Sequence, residues 1–330
     1  MLRSAILGWD EAVRGVFGEG RLERIAALTD LGPVGVLRET LDDHHDALAE
    51  VEVLFGTWQI PALSPEDLDR MPRLRALFYA ASSVQRFARP LLARGVEIYS
   101  GYRANGRCVA EMTLGQILLA AKGWFQNARD ARLGKEPWHE AFRGPGLFDL
   151  PVAILGAGAA GRAVIDLLRP FRCSLLVFDP FLTEADAAAL GVTRVSLADA
   201  FARGRVVSNH LADKPETRGL LDGPRFADLP EKATFMNTGR PGTVNHEDLA
   251  EVFAARPDLT ALLDVVETVA PETRARLDAL PNVWITTHIA GTIGRERLAL
   301  GDEAIRQFEI WQGGGVPEGR VTEAMLATMA

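Results

Sequence analysis

The stretch PVAILGAGAAGR, residues 151–162, decides how this chain is read. Its apolar run, residues 151–155, has the length and composition of a buried strand. Glycines follow at 156, 158 and 161, then an apolar-periodic run at Ala163, Val164, Leu167 and Leu168. Strand, tight turn and helix in that order form a glycine-rich βα unit. Gly156 permits a sharp turn, Gly158 lets backbone approach a pyrophosphate, and Gly161 lets helix and strand pack closely. Ala159 and Ala160 open a helix whose free N–H groups and partial positive charge suit phosphates. A second apolar strand, residues 174–178, ends in Asp179, 18 residues after Gly161. An acidic residue there accepts hydrogen bonds from an adenosine ribose. An ordinary βαβ turn would also use such glycines; Asp179 favours a dinucleotide.

Downstream, apolar strands alternate with helical patterns at residues 205–209, 233–238, 259–264 and 283–287. That alternation is the signature of a doubly wound parallel sheet. In such sheets ligands bind outside the carboxyl ends of the strands. Ionisable residues stand at five of those ends: Asp179, His210, Arg240, Asp264 and His288. Each also has a plain structural reading, a core histidine or a surface ion pair, but together they point to an enzyme site. His44, His45, His139 and His246 fall in polar stretches expected to be exposed.

Upstream, residues 1–105 read as a small α/β unit with an edge strand at 4–7 and further strands at 51–55, 74–79 and 96–99. Ser64, Pro65, Glu66 and Asp67 spell a helix start. Trp58 and Tyr79 stand near strand ends, where pocket lining and core packing are both open. Residues 109–124 form a long apolar helix into the nucleotide-binding region. Residues 134–150 carry Trp138, Phe142 and Phe148 without periodicity, a segment suited to packing on a partner subunit or within the chain. Residues 291–312 read as a helix returning to the first unit.

The 330 residues carry a net charge of −8, which argues against nucleic acid or an anionic membrane as the main partner. Two cysteines, Cys108 and Cys173, show no metal-ligand or redox spacing. A reducing, cytoplasmic setting and no metal are expected. No apolar run reaches transmembrane length.

A nicotinamide carries a hydride, and the protein must supply orientation and a proton. Histidine suits proton transfer near neutrality, and arginine offers a planar fork for a carboxylate. ILGAGAAGRAV (154–164), FDP (178–180), HLADKPETRGLL (210–221), MNTGRPGTV (236–244), LDV (263–265) and PNVWITTHIAG (281–291) together resemble the D-isomer-specific 2-hydroxyacid dehydrogenases. VAEMTLGQILLA (109–120) resembles the family's helix entering the nucleotide domain. The resemblance covers almost all of the chain.

It implies two doubly wound parallel-sheet domains of α/β class. A Rossmann NAD-binding domain, residues 106–294, is inserted into a flavodoxin-like substrate domain, residues 1–105 and 295–330. It further implies NAD as cofactor, a small 2-oxo or 2-hydroxy acid as substrate, and a homodimer. By the same resemblance Arg240 binds the substrate carboxylate and carbonyl, and His288 is the acid/base. Ser83 and Val84 offer backbone N–H groups to the carboxylate, and Asn105 is a polar pocket residue. His210, Thr238, Gly239 and Asp264 fall on the cofactor side, with Gly156, Gly158, Ala159, Ala160, Gly161 and Asp179.

The departures shape the expected activity. An ungapped alignment puts Val269 where the family carries the glutamate that pairs with the histidine. Glu267 lies two residues earlier, too far for contact in an extended segment, by roughly 7 Å. Pro241 and Thr287 also depart from the family's usual residues. Without a carboxylate against the imidazole, weak reduction at neutral pH is expected. The rival reading is a dinucleotide-binding regulatory or sensor dimer with impaired catalysis.

Overall fold

A computed structural model describes residues 1–135 and 140–329. Trp138 and His139 lie outside the described residues. The chain separates into two compact units, Met1–Asn105 with Thr292–Ala330, and Gly106–Gly291.

The first unit is built on β1 (Arg3–Leu7), β2 (Asp30–Val36), β3 (Val53–Gly56), β4 (Ala76–Tyr79) and β5 (Glu97–Ser100). The second is built on β6 (Leu150–Leu155), β7 (Cys173–Phe178), β8 (Thr193–Arg194), β9 (Val206–Asn209), β10 (Thr234–Asn237), β11 (Thr260–Leu263) and β12 (Val283–Ile285). A last strand, β13 (Arg320–Val321), joins the first sheet antiparallel to β5. The first sheet runs β13-β5-β4-β3-β1-β2 and the second β12-β11-β10-β9-β6-β7-β8. Leaving out β13, the first is the flavodoxin-like order. The second is the dinucleotide-binding order with one strand added.

Both sheets are covered on both faces, so their strands are apolar at consecutive positions rather than alternating with polar ones. In the first sheet Ala5, Leu7, Leu54, Leu77 and Tyr79 pack on one face. Ile6, Val53, Phe55, Ala76 and Phe78 pack on the other. The returning helix Glu296–Gln312 covers that second face with Leu300, Ala304, Ile305 and Phe308. Phe55, Phe78 and Phe308 are fully buried and meet edge to face or tilted, with centroids 5.5–5.7 Å apart. Each such side chain contributes about 1.5–3 kcal/mol through burial. Tyr79 belongs to this packing story too: it is buried against Phe87.

Some expected elements change at their edges. The helix expected over 109–124 begins earlier, at Tyr102, and stops at Lys122. Gly123, at φ +70°, breaks it, and a second helix runs Trp124–Arg132. The returning helix starts at Glu296, not at residue 291. Ser64 caps Pro65–Asp69 through a reciprocal box with Asp67, as its sequence indicated. The strand β2 carries no apolar-run signal, because DLGPVGV holds a proline and two glycines. It lies at the sheet edge, where proline is tolerated.

Candidate active site

The carboxyl edge of the second sheet collects the polar residues expected there. The glycine-rich turn follows β6 and leads into the helix Ala159–Leu168. Gly156 sits at φ +94°, and a Cβ there would meet the His210 carbonyl oxygen at 2.8 Å. A Cβ on Gly161 would stand 2.0 Å from the Gly156 carbonyl oxygen. Neither position admits a side chain. A Cβ on Gly158 would meet nothing within 4 Å, so that surface is open to a ligand. Asp179 closes the site from β7: its carboxylate accepts the Ala157 N–H at 2.7 Å and the Phe181 N–H at 2.8 Å. Open backbone at a helix N-terminus beside a fixed carboxylate fits a dinucleotide.

The sheet order reverses between β6 and β9, and His210 follows β9 directly. Its Nε2 lies 2.9 Å from the Ser208 hydroxyl, and its Nδ1 is buried without a partner among the described residues. Burial pushes this imidazole down to about 4, so it is neutral at pH 7. His246 behaves alike. It is buried at the start of the helix His246–Ala255 and burial pushes it down to about 4. This corrects the expectation of an exposed histidine; His44 and His45 are half-buried.

Arg240 is presented from a network that the sequence reading passed over. Asn209 and Asn237 are register partners at the ends of β9 and β10. The Asn209 amide donates to Asn237 Oδ1 at 3.0 Å and to Thr243 Oγ1 at 2.8 Å. Asn237 Nδ2 and Thr243 Oγ1 in turn donate to the Arg240 carbonyl, at 3.2 and 2.9 Å. Two amides at adjacent strand ends were a usable signal. The Arg240 guanidinium donates to the Gly239 carbonyl at 2.9 Å. Burial pushes it down from its ordinary value, against the pull of Glu267 and Asp213. Thr238 is buried, with its hydroxyl 3.3 Å from that of Thr113.

Asp264 follows β11, is 1% exposed and ties down the loop that carries His288. Its Oδ1 accepts the Thr286 hydroxyl at 2.6 Å and the Ile289 N–H at 2.9 Å. Its Oδ2 accepts the Ala290 N–H at 2.9 Å, and its carbonyl accepts the His288 N–H at 2.9 Å. Within this loop His288 adopts φ +59°, the left-handed region. Such a conformation costs on the order of 1 kcal/mol and persists only where surrounding bonds enforce it.

The imidazole so placed is not alone. Glu267 Oε1 contacts His288 Nδ1 directly. The expectation that Glu267 lies out of reach, and that Val269 takes the glutamate's place, is therefore corrected. The segment is not extended. The Val269 N–H donates to the Val266 carbonyl at 3.1 Å, closing a turn over residues 266–269. The turn carries Val269 back onto the apolar core with Val266 and leaves Glu267 projecting toward the imidazole.

In the first unit Ser83 and Val84 occupy the turn after β4, Ser83 exposed and Val84 buried. Asn105 Oδ1 accepts the Thr292 N–H at 3.2 Å, so it braces the returning chain. Among the described residues no group of three or more metal-ligating side chains forms, and no helix is long and apolar enough to cross a membrane.

Residues 114–290 match a model described as D-isomer specific 2-hydroxyacid dehydrogenase, NAD binding domain. The D-3-phosphoglycerate dehydrogenase of Mycobacterium tuberculosis (strain ATCC 25618 / H37Rv) is 32% identical over 237 residues, 68% of this chain and 44% of that protein. That of Mycobacterium leprae (strain TN) is 33% identical over 327 residues, 95% of this chain and 58% of that protein. The chain thus spans about half the length of these relatives. A solved phosphoglycerate oxidoreductase from Rhizobium etli shares the fold, with a TM-score of 0.80 over 97% of this chain and 99% of that one, at 22% identity.

Proposed function

Since the chain belongs to the D-isomer specific 2-hydroxyacid dehydrogenase family and carries its NAD binding domain, we propose that it is an NAD-dependent 2-oxoacid reductase. The observation that carries this is the contact of Glu267 with His288 on the sheet edge that also presents Arg240.

The bound nicotinamide supplies the hydride. Gly156, Gly158, Ala159, Ala160 and Gly161 would hold the pyrophosphate of the cofactor, and Asp179 would accept hydrogen bonds from its ribose. His210, Thr238 and Gly239 line the cofactor side. Arg240 grips the substrate carboxylate and polarises its carbonyl with a permanently charged fork. Because Glu267 occupies Nδ1, His288 delivers its proton from Nε2 to the carbonyl oxygen. The carboxylate fixes the ring's orientation and tautomer. The assignments of Ser83, Val84 and Asn105 to substrate binding rest on the family resemblance.

The regulatory reading rested on Val269 leaving the histidine without a carboxylate. With Glu267 in contact, that ground is gone. A cytoplasmic setting remains our reading of two cysteines whose places in the chain have no metal-ligand or redox spacing. We also read the protein as a homodimer. Leu119, Trp124, Leu133 and Phe148 are large apolar side chains, 40–73% exposed, on neighbouring stretches of the second unit. A monomer by light scattering at micromolar concentration would remove that reading.

The activity is tested by NADH oxidation against glyoxylate, hydroxypyruvate, pyruvate and longer 2-oxo acids. Turnover of at least one is expected. Arg240→Lys keeps the charge and loses the fork, so kcat/KM should fall at least about tenfold while NADH affinity holds. No turnover of any 2-oxo acid would defeat the proposal.

A further inference from the structure

The first sheet has its own topological switch point. Its order reverses between β1 and β3, and in doubly wound sheets ligands bind at the carboxyl ends flanking such a reversal. Gly8 and Trp9 follow β1; Thr57, Trp58 and Gln59 follow β3. The Trp9 N–H donates to the Trp58 carbonyl at 3.4 Å. A recess of about 240 Å³ opens there, lined by Trp9, Glu11, Ala12, Trp58, Gln59 and Arg297.

Arg297 is the unusual member. Its guanidinium lies over the Trp58 ring, 5.7 Å from the centroid. Nearby arginines of this unit are paired: Arg14 with Asp10, Arg21 with Asp302, Arg295 with Glu19. The Arg297 side chain has no ion pair or hydrogen bond among the described residues, and its Nε is buried without an acceptor. A half-buried guanidinium with its face on an indole and no partner of its own is suited to receive an oxyanion edge-on. Glu11, exposed at the rim, also has no ion pair among the described residues. With one cation and one anion at its walls, the recess suits a singly charged carboxylate better than a dianionic phosphate.

We propose that this recess binds the distal carboxylate of a 2-oxo dicarboxylic acid. The assignment rests on the reductase reading above and names its substrate class. Its geometry lies within the first unit. The Thr57 hydroxyl reaches the Ala80 carbonyl at 3.5 Å, tying the end of β3 to the end of β4 three residues before Ser83. Neighbouring strands are about 4.8 Å apart, so the recess stands roughly 5–10 Å from the turn at Ser83 and Val84. The separation of the two carboxylates in an extended five- or six-carbon diacid falls at the short end of that span.

The test compares kcat/KM for 2-oxoglutarate, for 2-oxopentanoate, which lacks the distal carboxylate, and for 3-phosphohydroxypyruvate. The wild type should favour 2-oxoglutarate over 2-oxopentanoate by about tenfold or more. Arg297→Gln should collapse that ratio, and Arg297→Lys should restore part of it. An unchanged ratio in Arg297→Gln, no diacid preference in the wild type, or a preference for the phosphorylated acid overturns the assignment. If no 2-oxo acid is turned over, the reductase reading fails, and glutarate decides the recess separately. Saturable quenching of tryptophan fluorescence in the wild type that is lost in Arg297→Gln supports it; identical titrations overturn it.

Discussion

Glu267 meets the Nδ1 of His288 because a turn over residues 266–269 sends Val269 inward and the glutamate outward. The pair is half-exposed, with side chains 47% and 54% accessible. Its worth is in aiming the ring rather than in stabilising the fold, since exposed ion pairs contribute little.

Glu267→Gln should therefore lower kcat for reduction at pH 7 by at least about tenfold, with the denaturation midpoint nearly unchanged. Val269→Glu should gain no turnover. It would press a carboxylate against the apolar core and cost on the order of 1 kcal/mol or more of stability. Steady-state kinetics and urea titrations of both variants check this. Faster turnover in Val269→Glu would show the turn to be misassigned.

Asp264→Asn should be costly although it is nearly isosteric. One amide oxygen cannot serve both loop N–H groups, and the new NH₂ would face a donor. A loss of about 1–3 kcal/mol is expected from the stranded N–H. With the loop slack, kcat should fall more than NADH affinity does. A variant of wild-type stability would mean that the loop holds His288 by other contacts.

Asp179 should set cofactor choice. Its carboxylate would repel a 2′-phosphate, so NADH should bind more tightly than NADPH. Asp179→Ala should narrow that preference. It should also weaken binding of both, because the Ala157 and Phe181 N–H groups lose their acceptor. Equal titration of the two cofactors by the wild type would refute this.

His246 should make the fold acid-sensitive. Its folded-state value of about 4 lies below the unperturbed 6.5, so the unfolded state binds the proton first as pH falls. Its contribution is complete above about pH 6.5 and is lost between there and about pH 4. The gap is worth on the order of 3 kcal/mol. Thermal melts of the wild type and His246→Leu should show a shallower pH slope in the variant across that window. Parallel slopes would exclude His246 as a source, leaving His210 and the carboxylates.

Much of this was legible locally. The three glycines, Asp179 and the ionisable strand ends are short-range signals, because turn geometry and helix capping depend on residues a few places apart. The central strands were legible as apolar runs for a related reason, since burial on both faces leaves no polar positions in them. Three of the four edge strands, β2, β8 and β13, were not, while the fourth, β12, was read at 283–287. A strand with one neighbour needs little apolar sequence, so DLGPVGV and the two-residue β8 carry almost no signal. The break at Gly123 was hidden inside an apolar run that continued past it.

The amino-acid sequence by itself determined the doubly wound sheet of the second unit, its glycine-rich turn and the placing of Arg240 and His288 just beyond strand ends. Tertiary structure alone decided who faces whom. Glu267 rather than Val269 reaches the imidazole, Asp264 spends its carboxylate on the loop behind His288, and Arg297 lies above Trp58 with no ion pair among the described residues. The reason is physical. Local conformation follows from side chains a few positions away, but a contact between residues 21 apart depends on which way one turn folds, and the core's claim on Val269 settles that.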